Sequence, residues 1–254
     1  MTLRHRLGTS FRLFRRSGFH YFRRRMLRPP FWLSANGSIS RVHAADDAGA
    51  ANCYSEVALD DCYEVFAYAR RARPEVIVDI GANVGLFSKL CSMLFRDAEI
   101  YAYEPHPSAA KWLTLNAEGT RIRVHRAAVT QSSTVAKLDT SGDSTLSRIV
   151  SDGDLTVDCL TVPQVADGRE IDLLKIDCEG SEWSILKDPS LLRRTRECCL
   201  EYHLFDGHTF DDLIALIEAA GHRLVCKGAT KYGGKFGMIR TVRSQPGTLS
   251  LPQA

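Results

Sequence analysis

The chain has 254 residues, 44% of them hydrophobic, and carries a net charge of +3, so it can bury a sizeable core as one large or two small domains. No apolar run approaches the ~20 residues that a bilayer-spanning helix needs, which excludes an integral membrane protein of that kind. The eight cysteines show no Cys-x-x-Cys pair and no zinc spacing, which excludes a zinc framework and fits thiols acting as small hydrophobes in a reducing, cytoplasmic setting.

The charge is unevenly spread. Residues 1–28 hold nine arginines and no acid, leaving 24 basic residues against 30 acids in the rest of the chain, a balance of −6. Leu3, Leu7, Phe11, Phe14, Tyr21 and Phe22 recur at roughly helical spacing among those arginines. This is the pattern of a basic amphipathic extension, and it predicts peripheral contact with anionic lipid at the inner membrane surface. It lacks the apolar core of a signal peptide, so the Asn36-Gly37-Ser38 sequon is read as chance.

Residues 29–53, mixed, small and polar, are expected to be a linker or irregular wrap. A helix is predicted over 56–72, where Val57, Leu59, Val65, Phe66 and Ala69 supply an apolar face, and Pro74 ends it. Residues 76–80 then form a β-branched strand that breaks at Gly81-x-Asn83-x-Gly85 into a helix beginning at Leu86. Glycines in such a turn let the backbone approach a ligand, and the N–H groups of the helix start face it. The next strand, 99–104, ends on Glu104, at about the spacing where a carboxylate accepts the vicinal hydroxyls of a ribose. A helix over 108–116 is expected to turn Trp112 and Leu115 inward. Residues 122–126 form a third strand, followed by Ala127 and Ala128, and 135–138 with 156–160 form a strand pair around a polar loop holding Ser144 to Arg148.

The strand 171–177 ends among functional groups, Asp177, Glu179 and Glu182, and turns into a helix expected to reach about Leu192. The run 197–203 ends in Glu201, Tyr202 and His203. Residues 209–220 are a helix opened by a Thr209/Asp212 capping box and closed at Gly221. Residues 223–226 and 236–242 form an antiparallel pair, and the tail 244–254 is expected to fray.

Strands alternating with helices imply an α/β, doubly wound, mostly parallel Rossmann-like sheet with a C-terminal antiparallel pair. Ligands in such folds sit beyond the carboxyl ends of the strands. Four polar clusters fall at such ends: Asp79 to Gly85, Glu104, Asp177 to Glu182, and Glu201 to His203. A dinucleotide turn would need Gly-x-Gly-x-x-Gly, but Asn83 stands at the middle position and no third glycine follows where required.

Taken together, Asp79-x-Gly81-x-Asn83-x-Gly85, Glu104-Pro105 and Lys175-Ile176-Asp177-Cys178-Glu179-Gly180-Ser181-Glu182 resemble the FkbM family of S-adenosylmethionine-dependent methyltransferases, over roughly residues 54–242. The last motif is the more specific. The family usually has Val where Cys178 stands and Ala where Ser181 stands. The resemblance implies a class I methyltransferase domain, placed here at 54–243, with S-adenosyl-L-methionine as cofactor. Asp79 and the turn Gly81, Asn83 and Gly85 would cradle its methionine part, Glu104 would hold the ribose hydroxyls, and Ala127 and Ala128 would lie by the adenine. The acceptor class it implies is a hydroxyl on a sugar, glycan or small metabolite.

A hydroxyl acceptor must lose its proton, and Asp177, Glu179 and His203 are the candidate bases, Asp177 and His203 jointly favoured. Lys175 is expected to be buried and paired with an acid, Glu179 being the candidate. A divalent ion held by Asp177 and Glu179 is conceivable, but those two acids do not by themselves make a metal site, and no metal ligands are assigned. Two other readings compete: methylation of nucleic acid, disfavoured by the acidic balance outside the tail, and a cofactor-binding or membrane-tethered adaptor without catalysis.

Overall fold

The protein is described by a computed structural model that covers residues 28–46, 48–131, 134–140 and 147–244. The expectations for residues 1–27, for Ser144, Thr145 and Leu146, and for the tail from residue 245 lie outside the described residues.

A hairpin, β1 (Phe31–Ala35) with β2 (Ser38–Val42), opens the fold and leads to α1 (Ala48–Tyr54), a π-helical turn (Ser55–Asp60) and α2 (Val65–Ala69). There follow β3 (Val76–Ile80), α3 (Leu86–Leu94), β4 (Glu99–Tyr103), α4 (Pro107–Ala117), β5 (Ile122–His125) and β6 (Ala128–Thr130). Strands β7 (Val135–Asp139), β8 (Arg148–Val150) and β9 (Leu155–Thr161) come next. The chain ends in β10 (Ile171–Ile176), α5 (Glu182–Leu186), α6 (Ser190–Arg193), β11 (Thr195–His203), α7 (Phe210–Ala219), β12 (His222–Lys231) and β13 (Phe236–Arg243).

The central sheet runs β12-β13-β11-β10-β3-β4-β5, with β11 to β5 parallel and the β12/β13 pair antiparallel. This is the predicted architecture. A smaller sheet, β6-β9-β7-β8, grows from the connection between β5 and β10.

Alternation along the strands divides the core in two. Ile77, Ile100, Leu173 and Cys199 face the hairpin, α1 to α3 and the π-turn. Val78, Ile80, Tyr103, Leu174, Ile176 and Leu200 face α5 to α7. Asp79 and Lys175 therefore point to the first side, two residues beyond Ile77 and Leu173. Strand β10 lies between β11 and β3, and its register sets Lys175 opposite Asp79.

Four expectations are corrected. Residues 29–53 are not an irregular wrap, because Phe31, Leu33, Ala35 and Val42 alternate inward and Phe31 stacks on Tyr54 at 4.6 Å. The helix over 56–72 is broken, since Asp61 and Glu64 take left-handed backbones (φ 51° and 53°) and Asp61 Oδ1 accepts the Val65 N–H instead. The helix expected to run to Leu192 divides into α5 and α6 at Asp188-Pro189, where the proline cannot continue the first segment. On α4 the buried positions are Ala109, Ala110, Leu113 and Asn116; Trp112 packs partly buried against the core, as expected, whereas Leu115 is exposed. The Thr209/Asp212 capping box forms as expected. Among the described residues no helix is long and apolar enough to cross a membrane.

Candidate functional site

A cavity of about 310 Å³ opens beyond the carboxyl ends of β3, β4, β10 and β11. Its first wall is the turn after β3. Gly81 (φ 76°) has no room for a side chain, because a Cβ there would lie 1.7 Å from the Asp177 carbonyl oxygen. The turn is thus pressed against the end of β10. The N–H groups of Gly81 and Ala82 donate to the Tyr103 carbonyl, tying the same turn to β4.

Asn83 also has a left-handed backbone (φ 50°), which aims its N–H at Glu104 Oε2, 2.7 Å away. The His106 N–H donates to the other oxygen, Oε1, also at 2.7 Å. The two donors fix the carboxylate plane and leave each oxygen a lone pair for a further donor. Burial pushes the Glu104 carboxyl up, the two backbone N–H groups oppose that shift, and the result is about 7. Ala127 and Ala128 line the cavity beyond Glu104.

Asp79 and Gly85 stand differently from expectation. Asp79 is fully buried and does not line the cavity. Its Oδ2 accepts from Ser88 and its Oδ1 lies 3.0 Å from Lys175 Nζ. Gly85 (φ 85°) faces Leu113, whose Cδ1 would be 2.6 Å from a Cβ at that position. Both residues support the turn from behind.

Lys175 is 3% exposed and pairs with Asp79, not with Glu179. The reason is register: on adjacent parallel strands Lys175 and Asp79 are direct neighbours on one face, whereas Glu179 lies past the strand end on a left-handed residue (φ 53°). Its ammonium also donates to the Gly81 carbonyl at 2.7 Å and lies 3.8 Å from Asp177 Oδ2. Burial alone would lower the ammonium's pKa, but Asp79 and Asp177 outweigh it and hold the group charged.

The opposite wall is acidic, carrying Asp177, Glu179 and Glu201 around His203. Asp177 Oδ2 accepts the Tyr63 hydroxyl at 2.7 Å, and its side chain is 22% exposed. His203 is held between two carboxylates, Nε2 to Glu179 Oε2 at 3.3 Å and Nδ1 to Glu182 Oε1 at 3.2 Å. Burial opposes its charge, yet the bond to Glu182 and the fields of Glu182, Glu179 and Asp177 raise its pKa to about 9. The imidazole is therefore protonated at neutral pH. Asp177 and His203, expected to act jointly, are each paired with other groups.

Glu182, placed by the sequence among the functional groups after β10, opens α5, is 1% exposed and also accepts the Cys178 N–H. The segment before β3 was missed altogether, although Asn52, Cys53, Glu56, Val57 and Tyr63 all reach the cavity. One signal was present: Asp60-Asp61 interrupts an apolar helix face just before Tyr63. From the small sheet come Leu138, Arg148 and Ile149. Among the described residues no group of three or more His, Cys, Asp or Glu is arranged to hold a metal ion.

Residues 79–224 match the methyltransferase FkbM domain. The chain is 25% identical, over a 244-residue alignment, to 31-O-demethyl-FK506 methyltransferase FkbM of Streptomyces tacrolimicus, covering 80% of this chain and 92% of that protein. Methyltransferase sdnD of Sordaria araneosa is 38% identical over 63 residues, 25% of this chain and 23% of that one. Among solved structures, magnesium protoporphyrin IX methyltransferase (ChlM) from Synechocystis PCC 6803 with bound SAM superposes with a TM-score of 0.49 at 11% identity, over 79% of this chain and 86% of that one.

Lys175→Met retains the stem but strands Asp79 as an unpaired buried carboxylate, and it is expected to destabilise the fold by about 3–5 kcal/mol in urea denaturation. A loss below about 1 kcal/mol, the scale of an exposed pair, would show that the pair does not hold the turn.

Proposed function

Because the chain belongs to the FkbM methyltransferase family, we propose that it transfers a methyl group to a hydroxyl on a sugar, glycan or other small metabolite. Its cofactor is S-adenosylmethionine. When bound, the cofactor supplies a methyl activated by a sulfonium sulfur.

The residues of the first wall fit it. Glu104, held by two N–H groups with lone pairs to spare, suits a pair of ribose hydroxyls, and the turn from Gly81 to Val84 lines the cavity beside it. Ala127 and Ala128 offer small apolar contacts beside Glu104 for a flat ring.

The O-methyl reading rests chiefly on Asp177. Its Oδ2 is bound by Tyr63, while among the described residues Oδ1 has no hydrogen-bond partner at the cavity surface. Asp177 takes the acceptor proton as the oxygen–methyl bond forms and the sulfur–methyl bond breaks. His203, already protonated, serves instead to hold Glu179 in place through Nε2. Glu56, Glu179 and Glu201 line the cavity as acceptors for further hydroxyls of a sugar-like molecule. The Streptomyces tacrolimicus relative is named for a 31-O-demethyl compound, which favours the same chemistry.

A further part of this reading is that residues 1–28 rest on an anionic membrane surface. The outer face of the β1/β2 hairpin, next along the chain, exposes Trp32 and Ile39 (37% and 71%) together with Arg41. Aromatic, aliphatic and cationic side chains on one face suit the lipid interface.

Three outcomes test the proposal. Cofactor binding, followed by calorimetry from pH 5.5 to 8.5, should weaken as pH falls through about 7, approaching tenfold per unit below it, because ribose hydroxyls need the Glu104 carboxylate as acceptor. A flat profile would separate Glu104 from the ribose. Asp177→Asn should lower turnover by about 10²-fold or more, with cofactor affinity held; release of S-adenosylhomocysteine over a panel of sugars, glycans, hydroxylated metabolites and amines supplies the readout. Preference for amines would contradict O-methylation. On vesicles containing phosphatidylserine, the full chain should co-sediment and a chain starting at Pro29 should not, and equal binding of the two would remove the membrane role of residues 1–28.

A further inference from the structure

Tyr63 lies outside residues 79–224, the span of the family domain, yet it lines the cavity. The break between the π-turn and α2 carries it there, with left-handed residues at Asp61 and Glu64 on either side. Three elements clamp it. Its ring meets Phe87 of α3 edge to face at 5.4 Å, Lys175 Nζ of β10 lies 5.5 Å from the ring centroid, and its carbonyl accepts from Cys199 Sγ of β11 at 3.3 Å. Phenylalanine would satisfy every one of those contacts. What distinguishes tyrosine here is the hydroxyl, which donates to Asp177 Oδ2 at 2.7 Å.

We propose that Tyr63 is the positioning residue for Asp177, fixing one carboxylate oxygen so that the other is presented to the acceptor hydroxyl. This rests on the reading of Asp177 as the base.

The direction of the bond is secure. Burial first, and the Asp177 charge next, hold the Tyr63 phenol protonated well above its ordinary range, so it acts as a donor to the carboxylate. The charged groups around this contact are Lys175 from β10, Glu201 and the protonated His203 from β11, and Glu56 from the π-turn. Cys53 and Cys62 complete the surroundings as neutral thiols, both pushed up by burial, Cys53 to about 12. Among the described residues, Tyr63 is the one hydrogen-bond donor to the Asp177 carboxylate. Lys175 is committed to Asp79 and the Gly81 carbonyl and stands 3.8 Å away. The carboxylate plane therefore depends on the tyrosine.

A consequence is that the segment before β3 completes the reaction centre. The stretch that delivers Tyr63 also supplies Asn52, Cys53, Glu56 and Val57 to the cavity wall. Residues 79–224 contain Glu104 and Asp177 and do not contain the group that orients the base.

The test is Tyr63→Phe, alone and combined with Asp177→Asn, in the full chain. Tyr63→Phe should lower kcat about 10- to 100-fold, the scale of losing a hydrogen bond to a charged group, and should leave cofactor affinity and acceptor KM unchanged. The acid limb of its kcat profile should move to higher pH, since a carboxylate deprived of a donor ionises less readily. In the Asp177→Asn background the tyrosine substitution should have no further effect. Wild-type kcat and an unmoved acid limb in Tyr63→Phe, while Asp177→Asn is impaired, would overturn the positioning role; an unimpaired Asp177→Asn would instead overturn the base itself. If Tyr63→Phe fails to bind cofactor and so fails as a folded control, 2,3-difluorotyrosine at position 63 keeps the ring and strengthens the donor. The acid limb should then move to lower pH, and an unmoved limb overturns the proposal.

Discussion

The buried pair of Asp79 and Lys175 is the contact on which the site depends. The two residues face each other across β3 and β10, and the lysine ammonium reaches past its partner to the Gly81 carbonyl. Burying two charges is costly, and such pairs are often no better than apolar residues for net stability. Their value here is positional. One ammonium holds the carbonyl of the turn after β3 and stands beside Asp177 at the end of β10, so both walls of the cavity are referred to one point. The glycine at 81 follows from the same constraint, because the Asp177 carbonyl occupies the space that any side chain would need.

From that anchor the carboxylates acquire different roles. Asp79 is sealed in by Lys175 and Ser88 and serves structure. Glu104, buried but fed by two backbone N–H groups, is brought to about 7, where added donors from a ligand tip it to the charged form. Glu182 and Glu179 flank His203, which they keep protonated to about 9, and Glu179 also lines the cavity. Asp177 has one oxygen bound by Tyr63 and lines the cavity. On the proposed function, groups of one chemical type are separated by environment into support, binding and catalysis, the usual way one site runs several functions at neutral pH.

Much of this was legible in the sequence, for a physical reason. In a parallel sheet the strands are nearly uniformly apolar, so a polar residue at a strand end stands out, and Glu104, Asp177, Glu179 and His203 were all found in that way. The parallel core, the C-terminal pair and the Thr209/Asp212 cap were equally visible. What escaped notice depends on tertiary register or on short elements. The partner of Lys175 is set by which strand lies beside β10, which no local pattern states. The hairpin at 31–42 alternates over only five residues per strand, and its outer Trp32 and Ile39 blur the alternation. Tyr63 sits where an apolar helix was expected to run on, and only left-handed Asp61 and Glu64 turn it toward Asp177.

The most direct measurement is a crystal structure of the full chain with S-adenosylhomocysteine. The account predicts the two ribose hydroxyls on the Glu104 carboxylate, the homocysteine portion against the Gly81 to Asn83 turn, and the sulfur directed toward the side of the cavity that holds Asp177. A cofactor product bound elsewhere, or with its ribose away from Glu104 and its sulfur turned from Asp177, would contradict it.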